Sequence, residues 1–101
     1  MNKQKILNLL GLAQRARKVV LGEDFVLSAL AKNEHNLVFL ASDAGENIKN
    51  KILKKTEYYS ALLIDNLTTD ELSKAIGKNN RKVILVSDKG FINKFKEYLE
   101  S

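Results

Sequence analysis

Two short stretches of this chain combine side chains able to hold an anion with side chains able to read a base. The first runs from Gly11-Leu12-Ala13-Gln14-Arg15-Ala16-Arg17-Lys18 through Val19-Val20-Leu21 to Gly22-Glu23-Asp24. It is a basic segment that ends at a glycine, and that glycine opens an amphipathic helix. Cations and the free N–H groups of a helix N-terminus hold phosphate. Carboxylates cannot hold phosphate, but they accept hydrogen bonds from base edges. Arg17, Lys18, Gly22, Glu23 and Asp24 together therefore suit a surface that both grips and reads a nucleic acid.

The second stretch is Ile76-Gly77-Lys78-Asn79-Asn80-Arg81-Lys82. Gly77 can end a helix in the left-handed conformation, and cations and amides follow it. Alone, this is an ordinary polar turn. It gains meaning from its pairing with the first stretch in so short a chain.

The elements that must position these residues alternate. Ile6, Leu9, Leu10 and Ala13 recur at helical spacing after Asn2, a capping residue type, and define a first helix. Val19-Val20 fits a very short strand. Val26, Ala29 and Leu30 mark a second helix that starts at Gly22 to Asp24. Leu37-Val38-Phe39-Leu40-Ala41 is a continuous apolar run, as expected for a strand covered on both faces. Ile48, Ile52 and Leu53 mark a third helix, with Lys49, Lys51, Lys54 and Lys55 on its solvent side. Ala61-Leu62-Leu63-Ile64 reads as another buried strand. Thr68-Thr69-Asp70-Glu71 matches a capping box ahead of Leu72, Ala75 and Ile76. Val83-Ile84-Leu85-Val86 is a further buried strand, and Ile92, Phe95 and Leu99 share one face of a last helix. Alternating helices and strands imply a sheet between helical layers. Ligands of such sheets favour the loops beyond the strands' carboxyl ends, here Ser42 to Gly45, Asp65 to Leu67 and Ser87 to Gly90.

Composition sets the bounds. The chain has 101 residues, enough for a single domain spanning 1–101, and its 45% hydrophobic content supplies a core. A formal charge of +5 favours polyanions without naming one. The absence of cysteine excludes disulfides and thiolate metal sites. No apolar run approaches the ~20 residues that span a membrane, and the first residues carry no signal-peptide core, so a cytoplasmic location is expected.

Catalytic and metal-binding patterns are not found. His35, the single histidine, sits in the polar connection Asn33-Glu34-His35-Asn36 and reads as a surface residue. The five glycines form neither a dinucleotide fingerprint nor a phosphate-cradling loop. Asp43 with Glu46 could be a carboxylate pair, but helix capping explains that spacing better. The lysines of the third helix are most simply a solvated face. Tyr58-Tyr59 could stack on bases, yet between a helix and a strand they read as packing residues with hydrated hydroxyls.

The order of segments resembles the kink-turn-binding ribosomal protein family, and most closely its short bacterial members. The residues carrying the resemblance are Gly11-Leu12-Ala13, Arg15-Ala16, Lys18, Gly22-Glu23, Leu37 through Asp43-Ala44, Leu72, Ala75 to Lys78, Asp88 and Gly90-Phe91. The resemblance implies a three-layer α/β/α sandwich with a mixed, mostly four-stranded sheet. It also implies a noncatalytic protein without cofactors. Its partner would be kink-turn RNA, bent sharply at a bulge beside sheared G·A pairs, such as ribosomal RNA, with no membrane or small-molecule substrate. It would act as a monomer.

The family's Gly-x-Asn-Glu reading motif, with a Lys one turn later, falls on Gly22, Asp24, Phe25 and Ser28. Asp24 keeps the ability to accept from guanine N1–H and N2–H₂. Phe25 makes no such polar contact and Ser28 supplies no cation. That assigns part of the reading to Glu23 and the missing charge to Arg17 and Lys18. The family's second contact, around the flipped-out bulge nucleotide, falls on Ile76, Gly77, Lys78, Asn79, Asn80 and Arg81. Asp43 counts with these RNA-facing residues. The alternative is a protein-interaction module on the same scaffold, docking to a ribosome-associated partner.

Overall fold

The computed structural model describes residues 1–100. Helix α1 (Lys3–Arg15) begins where the Asn2 side chain accepts from the Lys5 N–H at 3.1 Å. Then follow β1 (Val19–Leu21), α2 (Glu23–Lys32), β2 (Leu37–Leu40), α3 (Glu46–Tyr58), β3 (Leu62–Ile64), α4 (Thr69–Ala75), β4 (Val83–Val86) and α5 (Lys89–Glu100). The Thr68–Glu71 capping box starts α4 with both reciprocal bonds in place.

The four strands lie in the order β1-β4-β2-β3. Strand β4 is antiparallel to both β1 and β2, whereas β2 and β3 are parallel, so the sheet is mixed. The two central strands are buried at every position, as their unbroken apolar runs require. Helix α1 packs against both α4 and α5, and α2 packs against α3, giving helical layers against the sheet. The core runs through both layers. Phe39 of β2, for instance, meets Phe95 of α5 edge to face at 5.2 Å between ring centroids.

Two expectations need correction. Strand β3 is an edge, not a buried strand: Leu62 is exposed and only Ile64 is fully buried. The three loops beyond the strands' carboxyl ends also do not meet. Because β4 runs against β1 and β2, the loop Ser87 to Gly90 lies at the opposite end of the sheet from Gly22 and from Ser42 to Gly45.

Three helices end in the same hydrogen-bond pattern. At the end of α4, the Gly77 N–H donates to the Lys74 carbonyl (3.2 Å) and the Lys78 N–H to the Ser73 carbonyl (2.9 Å). This is the Schellman arrangement, with Gly77 at φ +67°. Helix α1 ends identically through Arg17 and Lys18, and α3 through Ser60 and Ala61. There Arg17 (φ +59°) and Ser60 (φ +54°) occupy the left-handed position that glycine fills without strain.

Candidate nucleic-acid interface

The site is built where β1 ends and β4 begins. Gly22 follows β1 with φ +95° and ψ 144°, a conformation open essentially only to glycine. That turn throws the chain directly into α2. No side chain caps the helix start, so the first-turn N–H groups of Glu23, Asp24 and Phe25 point outward without intrahelical partners. The two acidic residues also complement the positive end of the helix.

The second sequence stretch arrives at the same place. The β1–β4 register sets Leu21 opposite Ile84, so Gly22 abuts the residues that lead into β4. A depression of about 260 Å³ is lined by Gly22, Glu23, Ile48, Asn80, Arg81, Lys82 and Val83. A neighbouring one of about 410 Å³ shares Asn80 and Lys82 and adds Asp43, Thr69, Lys78 and Asn79, among others. The sheet thus unites stretches of chain more than fifty residues apart.

The loop between α4 and β4 is held firmly. Beyond the Schellman turn, the Arg81 N–H donates to the buried Ser73 Oγ at 2.8 Å. Asn80 adopts φ +54° and its side chain accepts from Lys82 Nζ at 2.9 Å. The Arg81 Nε is buried and finds no hydrogen-bond partner among the described residues. An unpaired buried donor is costly, and here it belongs to a cation beside the depression. Lys78, Asn79 and Asn80 are exposed. Ile76 is not: it is buried in the core and supports the loop from beneath rather than facing solvent.

Asp43 also serves a structural end. Its Oδ1 accepts from both the Thr69 N–H (2.9 Å) and the Thr69 hydroxyl (2.7 Å), strapping the β2–α3 loop to the start of α4. The capping expected of it is thus given to α4 rather than α3, whose start at Gly45 has no side-chain cap. The Thr69 hydroxyl and N–H, with help from Lys82, hold the Asp43 carboxyl below the ordinary carboxylate range.

On α2, Asp24 and Ser28 are exposed one turn apart. Glu23 is engaged: Lys51 of α3 donates to its carboxylate at 3.2 Å. Phe25, which the sequence reading gave no role, is 72% exposed, and its ring lies 3.8 Å from where a Cβ on Gly22 would sit. A large apolar ring is left in water at the mouth of the site. The signal was present in the sequence, because Phe25 falls outside the Val26, Ala29, Leu30 spacing of the helix's buried face. Lys51 had no comparable signal, since its neighbour Glu23 comes from another helix.

Arg17 and Lys18 are not brought to this site. They precede β1, and Lys18 Nζ lies 3.9 Å from Asp88 just beyond β4, at the other end of the sheet. The cations that line the depression with Gly22 are Arg81 and Lys82, and Lys51 reaches it through Glu23.

The ribosomal protein L7Ae/L30e/S12e/Gadd45 family matches residues 4–95. The chain belongs to this family. Among curated relatives, RNA-binding protein YlxQ of Enterococcus faecium is 39% identical over 99 residues, covering 98% of this chain and 95% of the relative. RNA-binding protein YlxQ of Bacillus subtilis (strain 168) is 41% identical over 92 residues, covering 91% and 92%. A solved structure of a protein of unknown function from Bacillus halodurans C superposes with a TM-score of 0.89 at 40% identity, covering 96% of this chain and 98% of that one. A 15.5kD RNA binding protein of Giardia lamblia superposes with a TM-score of 0.80 at 17% identity, covering 96% and 83%. That last likeness is one of fold. Among the described residues no group of three or more His, Cys, Asp or Glu side chains is placed to hold a metal, and no helix is long and apolar enough to cross a membrane.

Proposed function

We propose that this chain is a noncatalytic, cytoplasmic RNA-binding protein that recognises kink-turn RNA and stabilises its bent form, acting as a monomer on ribosomal or translation-associated RNA. One observation carries the reading: the uncapped start of α2 at Gly22 shares one depression with Asn80, Arg81 and Lys82 of the cationic loop, in a chain whose curated relatives are named as RNA-binding proteins. In this reading the α2 start approaches the sheared G·A pairs, and Asp24 accepts from guanine N1–H and N2–H₂. Lys78 and Arg81 neutralise phosphates where the bent strands crowd. Phe25 offers a face on which an unpaired base stacks. Binding the bent state more tightly than the extended one shifts the RNA toward the bend.

A gel-shift comparison tests this. One RNA carries a bulge flanked by tandem G·A pairs; in the other those pairs are Watson–Crick. Selective binding of the first at both low and high salt is expected. Equal binding of the two that collapses with salt would reduce the site to a basic surface and favour docking to a protein partner instead.

A further inference from the structure

The third helix carries a surface that the Gly22 site does not use. Tyr58 and Tyr59 are adjacent, but their environments differ. Tyr59 packs against the core, while Tyr58 is 76% exposed. The rings meet edge to face at 4.8 Å and 90°, so the anchored Tyr59 positions its neighbour. Tyr58 is the last residue of α3, and the left-handed turn at Ser60 carries the chain away immediately after it. One broad ring face is therefore presented to solvent in a set orientation, with Lys55 Nζ 5.8 Å from its centroid.

The charge around this ring is one-sided. Helix α3 holds Lys49, Lys51, Lys54 and Lys55 against Glu46 and Glu57. Lys51, Lys55 and Tyr58 recur at spacings of four and three, which sets them along one face. Lys51, at the head of that line, is the residue that reaches Glu23 beside Gly22. The line thus starts at the candidate interface and ends at Tyr58 about 10 Å further along the helix.

We propose that this face of α3 is a second RNA contact, in which its lysines follow the phosphates of a strand leaving the Gly22 site and Tyr58 stacks on an unpaired base. The inference rests on the RNA-binding reading above. A polyanion with exposed aromatic faces is the occupant whose chemistry matches both the lysines and the ring.

The test uses the intact protein and two RNAs sharing one bent core, only one of which continues into a single-stranded tail of about eight nucleotides. Affinities are measured by fluorescence anisotropy. Wild type is expected to bind the tailed RNA about ten-fold more tightly than the untailed one. Tyr58→Ser should abolish that gain and leave untailed binding unchanged, while Tyr58→Phe should keep it. A Lys54→Ala, Lys55→Ala double variant should lower the salt dependence for the tailed RNA only, by about one unit. The inference is overturned, and the RNA reading left standing, if wild type binds both RNAs equally. It is equally overturned if Tyr58→Ser matches wild type on both, or if Tyr58→Phe loses as much as Tyr58→Ser. Failure of wild type to bind either RNA would overturn both readings.

Discussion

The loop after α1 and the loop after α4 begin with the same local construction, yet they differ in fate. Each ends its helix through the same pair of hydrogen bonds around a left-handed residue and places a lysine directly after it. One feeds β1 and the other feeds β4. Since those strands are antiparallel neighbours, the two loops open at opposite ends of the sheet. Only the loop after α4 reaches Gly22, whereas Lys18 of the loop after α1 faces Asp88. Composition and local structure made both loops candidates, and strand direction separated them.

The largest expected effects concern what lies beside Gly22. Asp24→Ala should weaken kink-turn RNA by about 1–3 kcal/mol and reduce its preference over the Watson–Crick version, read by titration of both RNAs. Phe25→Ala should cost about 1–3 kcal/mol in affinity without changing thermal stability, because the ring is exposed in the free protein. Equal affinities of variant and wild type would remove the corresponding contact from the account.

A smaller effect compares the two loops at their shared left-handed position. Gly77→Ala should destabilise the fold by about 1 kcal/mol, since φ +67° disfavours a side chain even in the open space around Gly77. Arg17→Gly should stabilise it by about 0.5–1 kcal/mol by relieving the same strain. Chemical denaturation measures both, and effects of like sign would show that the loops are not built alike.

The smallest effect is one of pH. The Asp43 carboxyl is held low chiefly by the Thr69 hydroxyl, and that of Glu71 chiefly by Lys3, with the Thr68 N–H next. A carboxyl lowered in the folded state adds stability that is fully present above its unfolded value, near pH 4, and is lost as pH falls through the lowered folded value. Asp43→Asn should therefore lower stability at neutral pH, change little at the acid end, and so flatten the acid limb of a stability-versus-pH curve.

Much of this was legible in the residues. The unbroken apolar runs marked β2 and β4 as buried, the Thr68–Glu71 pair marked the start of α4, and Gly77 marked its end. Strand order and direction were not legible from pattern, because an apolar run specifies burial without specifying neighbours. For that reason Lys18 read as part of the site, and Ser87 to Gly90 read as a ligand loop together with Ser42 to Gly45. Edge position hid in the same way: Leu62 looks as apolar as Leu85, yet only Leu85 has strands on both sides. The aromatic residues divided by exposure. Phe25 could have been recognised from its helical phase, whereas nothing in the Tyr58-Tyr59 pair showed which ring would be anchored.

The most direct measurement is the salt dependence of kink-turn RNA affinity for Arg81→Ala and Lys18→Ala side by side. One phosphate contact contributes close to one unit of slope. The account predicts that Arg81→Ala lowers the slope by about one unit while Lys18→Ala leaves it at the wild-type value. A lowered slope for Lys18→Ala with an unchanged one for Arg81→Ala would contradict the account and move the RNA to the other end of the sheet.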